Sequence, residues 1–249
     1  MAGHSHWAGI KHKKGKADKQ RSKLFSKLSR EITVAAKLGL PDIEFNPRLT
    51  SAVQAAREAN MPKDNITRAI KKSQGPNEDS NYEKSQYEGF GPGGVAFIVE
   101  ALTDNKNRTV TNLRSLFEKN NASLGVEGSV SYQFEEVGHI KIKKELISEE
   151  AIFAQALEAG AEDCTSGEEH HEIFCKKENF NEVRTSIETK VKDLSFSGII
   201  WKPKNTVFIK KEIFEKIITF IDLLEDDEDV QNVYTNFDVD ENVLKELKL

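Results

Sequence analysis

Basic side chains are concentrated near the start of the chain. Within residues 11–23, Asp18 is the only acid. The basic residues of that stretch are Lys11, His12, Lys13, Lys14, Lys16, Lys19, Arg21 and Lys23. A flexible cationic segment can follow a phosphate backbone and release its condensed counterions, which gives affinity without a preference for base sequence. These residues favour nucleic-acid binding, although a lysine run by itself is also typical of a solvated tail that only aids solubility.

Positive charge continues on two predicted helices, and this favours the first of the two interpretations. On both helices the cations lie roughly opposite the apolar positions, at about 100° per residue. The outward faces of ordinary helices usually mix both signs of charge, whereas these are mostly positive. We therefore predict a nucleic-acid interface. The predicted helix contacts are Lys23, Lys27, Arg30, Arg68, Lys71 and Lys72.

The same basic region contains Trp7 and three histidines, His4, His6 and His12. An exposed indole among cations would stack on an unpaired base, a mode that is commoner with RNA than with duplex DNA. An equal alternative is that Trp7 anchors the arm onto a helical core. No cysteine accompanies the histidines, so we predict neither a metal site nor a cofactor.

The net charge of −5 conceals two segments of opposite sign. Residues 1–75 hold 16 Lys and Arg against six Asp and Glu, a net +10, and the remainder holds 20 against 35, a net −15. A basic head therefore precedes an acidic body. No window approaches the roughly 18 consecutive apolar residues of a membrane span, and the first residues lack the apolar core of a secretory signal. With only two cysteines in the chain, we expect a cytoplasmic protein that binds no membrane.

Three glycines match the spacing of a dinucleotide-binding loop: Gly89, Gly91 and Gly94. Such a loop must follow a strand and open a helix, so that a pyrophosphate meets the helix N–H groups. Here the glycines precede a predicted strand at 95–99. We therefore expect a tight entry into that strand and no nucleotide site.

No recognisable catalytic motif is present, so we predict a protein that is not an enzyme and takes no small-molecule substrate. The acidic run 225–229 lacks the spacing of a calcium loop and predicts a solvated turn. Residues 170–172, His-His-Glu, are interpreted as a polar loop. Asp104 or Asn105 is expected to cap a helix, and the neighbouring Lys106 and Arg108 are minor candidates for phosphate contacts.

The elements that must position these residues change character along the chain. Three short amphipathic helices are predicted first, at about 22–38, from Asn46-Pro47, and from Pro62 to about Gly75. Residues 76–88 are polar and predict a linker. Strands and helices then alternate. Strands are expected at 95–99, 129–134, 139–143, 173–175, 198–201, 206–209 and 230–236, and helices at 108–120, 149–159, 180–194 and 213–224, with a last helical turn at the end.

This order predicts an α+β protein: an N-terminal three-helix domain followed by two βαβ-type α+β domains, the third inserted into the second. We place the basic helical nucleic-acid-binding domain at residues 1–78. The discontinuous α+β domain takes residues 79–135 plus 205–249, and the inserted α+β domain takes residues 136–204.

Several strings of residues resemble the YebC/PmpR family. They occupy residues 1–7, 10–15, 30–36, 46–49, 60–66, 68–72, 87–94, 102–109 and 125–130. The match is collinear over residues 1–134 and looser, mainly in element order, beyond them. One departure is His6, where the family usually has lysine. The resemblance implies an N-terminal helical bundle and two α+β domains, the third inserted into the second.

The resemblance also implies a function. Members of the YebC/PmpR family are described as DNA-binding transcriptional regulators of the bacterial cytoplasm, and the mitochondrial relative as a translational activator of cytochrome c oxidase subunit I. Mitochondrial members carry a presequence ahead of the Ala2-Gly3-His4-Ser5 motif, whereas Met1 directly precedes it here, so a cytoplasmic protein of bacterial type is expected.

Two functions stay open at this point. The first is a DNA-binding transcriptional regulator, which contacts phosphates through the Lys-rich arm and helices. The alternative is a ribosome-associated translation factor that binds ribosomal RNA. No helix carries the Arg, Asn and Gln cluster that reads base edges in a major groove, and lysine contacts position a protein without specifying sequence.

Overall fold

A computed structural model describes residues 17–75 and 82–240 of the chain, with side chains from Arg21 onward. The chain divides into two compact units. The described part of the first unit comprises residues 17–27, 82–135 and 203–240, and that of the second comprises residues 28–75 and 136–202. Among the described residues, none of the helices has the length and apolar character that a bilayer span requires.

Three helices open the described chain: α1 (Ala17–Leu38), α2 (Pro47–Glu58) and α3 (Lys63–Lys72). The first unit takes α1 up to Lys27, and the second takes the rest. The predicted start of α2 is confirmed, because the Asn46 side chain accepts a hydrogen bond from the Leu49 N–H and Pro47 is the first helical residue. The buried apolar residues of the helices and their connections are Ile32, Val34, Ala35, Ala36, Leu49, Ala52, Val53, Ala56, Met61, Ile66 and Ala69.

The first unit is built on a four-stranded antiparallel sheet with the spatial order β3-β1-β2-β9. Its strands are β1 (Glu83–Phe90), β2 (Ala96–Thr103), β3 (Ser123–Leu124) and β9 (Val230–Thr235), and its helices are α4 (Lys106–Lys119) and α7 (Lys211–Glu225). The rings of Phe97, Phe117 and Phe220 meet in the core, with centroids 4.9–6.2 Å apart. A short parallel pair, β8 (Val207–Phe208) and β10 (Phe237–Asp238), completes the described part of this unit.

The second unit contains another four-stranded sheet, with the order β5-β6-β4-β7. Its elements run in the order β4 (Phe134–Lys143), α5 (Glu149–Glu158), β5 (Asp163–Ser166), β6 (His170–Lys176), α6 (Phe180–Glu188) and β7 (Phe196–Pro203). This β-α-β-β-α-β sequence with that spatial order is a ferredoxin-like arrangement. One face of the sheet packs on the two helices, and the shared core includes Ile140, Ile142, Ile173, Ile152, Val183 and Ile187.

The α+β fold class is confirmed, and the structure corrects three local predictions. Residues 83–88 belong to strand β1 and not to a linker. Residues 129–134 do not form the predicted strand, because Ser131–Gln133 is a 3-10 helix and β4 begins only at Phe134. Residues 170–172 are not a polar loop, because they open strand β6. The last predicted helical turn lies outside the described residues.

A buried carboxylate explains the second correction. Glu88 on β1 accepts hydrogen bonds from the backbone N–H groups of Gly128, Val130 and Ser131 at 2.8–3.0 Å. These donors bind a side chain instead of a strand partner, so the segment turns where alternation predicted an extended chain. The predicted three-domain boundaries stay a prediction, although two of them lie close to the unit boundaries at 135/136 and 202/203.

Candidate nucleic-acid interface

The predicted basic arm lies largely outside the described residues. This holds for Trp7, the alternative base-stacking residue, and for Lys11, His12, Lys13, Lys14 and Lys16. Lys19 lies in α1, but its side chain is also outside the described part. The geometry of the interface therefore comes from the basic residues of α1 and α3.

On α1, the structure separates Arg21 from the next two lysines. Arg21 is exposed. The Lys23 ammonium lies 2.9 Å from a carboxylate oxygen of Asp226, and the Lys27 ammonium donates a hydrogen bond to the Glu225 carbonyl oxygen at 2.5 Å. Both lysines are half-buried, and they neutralise the acidic end of α7 within the first unit. Arg30, one helical turn further, is also half-buried.

On α3, the predicted basic residues face solvent. Ile66 and Ala69 are buried, whereas Arg68, Lys71 and Lys72 are exposed. Positions 68, 71 and 72 are three and four residues apart, so these side chains are neighbours on one face of the helix. Within the described chain, none of the three lies within 4.0 Å of a carboxylate. We call Arg68, Lys71 and Lys72 the α3 basic surface.

The glycine-rich segment leads directly into β2, as predicted, but it also follows strand β1, which the prediction of a linker missed. Gly91 through Val95 link β1 to β2, and the Gly91 N–H donates to the Val95 carbonyl oxygen at 2.8 Å. Gly93 and Gly94 have φ angles of 74° and 75°, which L side chains rarely adopt. Because no α-helix starts here, the segment offers no aligned helix N–H groups to a pyrophosphate.

The two minor phosphate candidates, Lys106 and Arg108, are engaged inside the first unit. Asn105 caps α4 by accepting a hydrogen bond from the Arg108 N–H at 3.0 Å, which confirms the capping prediction. The Arg108 guanidinium lies 2.8 Å from an oxygen of Asp229 and 2.9 Å from one of Asp104. Lys106 pairs with Glu83 at 2.6 Å. These cations therefore stabilise the fold and are not free for phosphate.

The acidic run 225–229 is not the predicted solvated turn throughout, because Asp229 is 3% exposed. Its carboxylate accepts hydrogen bonds from Arg108 and from the hydroxyls of Thr109 and Thr103. Burial acts to raise the pKa of Asp229, but the hydrogen bonds and the Arg108 charge hold that pKa below its ordinary value. The sequence could not show that Asp229 is buried and paired, because its partner Arg108 lies 121 positions away in the chain.

Histidine and cysteine residues do not form a metal site in the described part of the chain. His171 is fully buried, with one ring nitrogen 2.6 Å from the Ser166 hydroxyl and the other 3.0 Å from the Ile147 carbonyl oxygen. Both of its nitrogens are thereby occupied by structural hydrogen bonds. Cys164 and Cys175 are free thiols, and burial raises the pKa of each to about 11.

Comparison with known protein families identifies the family of this chain. Residues 5–76 match the model of the TACO1/YebC protein N-terminal domain, and residues 82–237 match the model of the TACO1/YebC second and third domain. The chain belongs to the TACO1/YebC family. The resemblance inferred from sequence strings is therefore confirmed.

Two relatives of this TACO1/YebC chain cover nearly its whole length. A probable transcriptional regulatory protein of Pelagibacter ubique (strain HTCC1062) is 54% identical over 242 residues, which are 97% of this chain and 100% of the relative. The crystal structure of a conserved hypothetical protein from Aquifex aeolicus aligns with a TM-score of 0.84 at 48% identity, over 94% of this chain and 97% of that one.

The TACO1/YebC chain also carries a group of aromatic and basic residues that sequence reasoning missed. His139 on β4 and Phe174 on β6 are paired across the second-unit sheet, and their rings stack with centroids 4.6 Å apart. Phe196 on β7 contacts the His139 ring, with a centroid distance of 5.3 Å. The available signal was the period-two alternation of residues 139–143 and 170–176, which places these rings on the face opposite the apolar core.

Proposed function

We propose that this protein is a nucleic-acid-binding regulator of gene expression that acts without catalysis. Its primary contact is the phosphate backbone, bound by the Lys-rich N-terminal arm and the basic helices. The name of the Pelagibacter relative, a probable transcriptional regulatory protein, favours a DNA-binding transcriptional regulator of the cytoplasm as the first candidate. Neither a cofactor nor a metal takes part in this proposal.

The observation that carries the proposal is the α3 basic surface. Three adjacent cations of one sign project into solvent without a carboxylate partner in the described chain, whereas Lys23 and Lys27 on α1 are used internally. Unpaired like charges on one helix face repel each other, so a fold gains nothing from placing them together. A polyanion removes that repulsion and releases counterions when it binds.

A second candidate function is a ribosome-associated translation factor that binds ribosomal RNA. The composition of the α3 basic surface favours it, because two of its three cations are lysines. Lysine binds phosphate as a point charge, whereas readout of guanine in a major groove most often uses a bidentate arginine. Shape and backbone recognition of folded RNA does not need such readout.

The first test is in-cell crosslinking of the tagged protein, with DNA and RNA recovered and sequenced from the same sample. Enrichment of discrete promoter DNA would support the transcriptional regulator. Recovery of defined ribosomal RNA segments, with DNA at background, would support the translation factor and contradict the first candidate. Recovery of neither would contradict the proposal as a whole.

The second test assigns the contact to residues. The triple variant R68A/K71A/K72A should weaken binding to all duplex sequences alike and lower the slope of log affinity against log salt by roughly one unit per lost phosphate contact. The control K119A/K210A/K216A removes three exposed cations from the first unit and should leave both unchanged. Equal effects of the two variants would show that net charge, and not the α3 basic surface, governs binding.

A further inference from the structure

One face of the second-unit sheet packs on α5 and α6. Ile140, Ile142 and Ile173 point into the core with α5 and α6, so the alternate residues of the same strands point the other way. This opposite face, which we call the outer sheet face, carries His139, Lys141 and Lys143 on β4, His170, Glu172, Phe174 and Lys176 on β6, Asp163 on β5, and Phe196 and Lys202 on β7.

Three aromatic rings form a row across the outer sheet face. The rings of Phe174 and His139 are stacked with an interplanar angle of 6°. On the other side of His139, the ring of Phe196 is tilted by 44° relative to the imidazole. Phe196 is 40% exposed. Its ring lies over Gly198, where an added Cβ would come within 3.2 Å of the ring. The ring therefore packs against bare backbone at Gly198, and part of it remains exposed.

Cations surround the row. The Lys202 ammonium lies 4.3 Å from the centroid of the Phe174 ring, and Lys141 and Lys143 follow His139 on the same side of β4. The outer sheet face holds four lysines (141, 143, 176 and 202), and each lies 3.8–4.0 Å from one acid (172, 145, 162 and 163, respectively). These ion pairs are longer than the 2.9 Å pair of Lys23 with Asp226, so a phosphate competes more readily for these lysines than for Lys23.

Glu172 and Asp163 contact the row and its cations. Glu172 lies 3.0 Å from the His139 ring nitrogen Nε2 and 3.9 Å from the Lys141 ammonium. Asp163 lies 4.0 Å from the Lys202 ammonium. Because the hydrogen bond to Glu172 holds the imidazole in place, less side-chain freedom of His139 is lost when a ligand binds.

We propose that the outer sheet face binds single-stranded RNA. An unpaired base stacks on the exposed side of Phe196, and the lysines beside the row contact the adjoining phosphates. Aromatic rings on a four-stranded sheet with helices behind it bind unpaired bases in this way, because every base has a stackable face. His139 and Phe174 lie on the two central strands, and Phe196 extends their row onto the edge strand β7. A duplex buries those faces, so the site selects unpaired strands. The inference rests on the proposed nucleic-acid function and adds a site outside the basic helices.

The test measures binding of the full chain to a fluorescent 12-nucleotide oligouridylate, to the same length of DNA, and to a 12-base-pair RNA duplex. The variant F196A should weaken oligouridylate binding at least about fivefold, the lower end of the range for one base-stacking ring, and leave duplex binding unchanged. The matched control is F153A, because Phe153 on α5 is 41% exposed and lies outside the outer sheet face. It should leave every affinity unchanged.

Two further measurements keep the inference testable if F196A folds poorly. F196L retains apolar volume without a ring, and it should also weaken oligouridylate binding while leaving duplex binding unchanged. Ultraviolet crosslinking of wild-type protein to 4-thiouridine-labelled RNA should yield a modified peptide within residues 193–202. Equal oligouridylate affinity for F196L, F153A and wild type, or a crosslink confined to other peptides, would overturn the inference.

The outcomes separate this inference from the proposed function. Wild-type protein that binds the duplex but not the oligouridylate would overturn the outer sheet face as a site and leave the proposed function intact. Absence of binding to all three probes would contradict both. Tighter binding of the DNA strand than of the RNA strand, with the same loss in F196A, would overturn RNA as the ligand.

Discussion

The two four-stranded sheets of this protein share an antiparallel arrangement but differ in what their faces do. In the first unit, all eight residues of β2 are buried, so both faces of the sheet centre are packed. In the second unit, apolar residues alternate with partly exposed His139, Lys141 and Phe174 and with the buried Glu172. The centre of the first sheet is therefore packed on both faces, whereas the second sheet has one face of polar and aromatic side chains, which we propose as a binding surface.

The largest expected effect that separates the sheets is on stability. Phe97 on β2 is fully buried and contacts the rings of Phe117 and Phe220. The variant F97A should lower the free energy of unfolding by about 4 kcal/mol, because it leaves a cavity in a packed core. Urea denaturation followed by circular dichroism measures this loss.

The comparison variant is F196A on the second sheet. Phe196 is 40% exposed, so its removal should lower the free energy of unfolding by less than about 1.5 kcal/mol. A loss as large as that of F97A would show that the outer sheet face is a packing surface, and the contrast between the sheets would then disappear.

The second expected effect concerns Asp229, a buried acid beside the first sheet. The variant D229N keeps the shape of the side chain but removes the charge that binds Arg108. It should lower the free energy of unfolding by about 2 kcal/mol, the scale of hydrogen bonds to charged groups. The control D104N removes the other carboxylate on Arg108, which is 42% exposed, and should cost less than about 1 kcal/mol.

The effect of D229N should depend on pH. The pKa of Asp229 in the folded protein lies below its ordinary value of 3.8. A lowered pKa stabilises the fold above the ordinary value, and this stabilisation is lost as the pH falls through the folded pKa. The difference between wild type and D229N should therefore be constant at neutral pH and shrink below 3.8. A difference that stays constant to pH 2 would contradict the ion-pair account.

The third effect is smaller and local. Glu88 holds the segment after β3 through three backbone N–H groups, and Gln86 donates a fourth hydrogen bond to it at 3.0 Å. Burial acts to raise the pKa of Glu88, but these hydrogen bonds hold it below its ordinary value. The variant E88Q should lower the free energy of unfolding by about 1–2 kcal/mol. The four donors are divided between two carboxylate oxygens in Glu88, whereas the glutamine amide has only one accepting oxygen.

Amide hydrogen exchange locates the effect of E88Q. Exchange should accelerate at Gly128, Val130 and Ser131 and stay unchanged in the second unit. The exposed neighbour gives the control, because E127Q removes a charge without touching these donors. Unchanged protection at the three amides in E88Q would show that the loop does not depend on the carboxylate.

Local signals in the sequence were sufficient for helices and turns. Asn46-Pro47 and Asn105 predicted two helix starts because a cap acts within three residues, as their hydrogen bonds to Leu49 and Arg108 show. The glycines before β2 were also interpreted correctly, since their sequence context excluded a helix start. These features depend on neighbours in the chain, which the sequence displays directly.

Contacts between distant parts of the chain could not be predicted in the same way. Glu88 and Asp229 look like ordinary surface acids in the sequence, yet each is buried by donors more than 30 residues away. The outer sheet face was missed for the same reason, because its row of rings comes from three strands whose order no local pattern gives. Buried charge and composite surfaces both require the tertiary pairing.

The smallest expected effect compares two basic residues of the same charge, Lys23 on α1 and Arg68 on α3. Lys23 is paired with Asp226, but its side chain is 29% exposed and that of Asp226 is 60% exposed. The variant K23A should lower the free energy of unfolding by less than about 1 kcal/mol, as for other solvent-exposed ion pairs. R68A should not change stability, because Arg68 is exposed and has no carboxylate partner in the described chain.

Nucleic-acid binding should rank these two variants in the opposite order. In duplex titrations at several salt concentrations, R68A should lower the salt slope by about one unit, whereas K23A should change it less because Asp226 already neutralises that lysine. Equal slopes for the two variants would show that internal pairing does not decide which cations bind phosphate. The opposite ranking in stability and in binding is the sharpest distinction between a cation that serves the fold and one that serves a ligand.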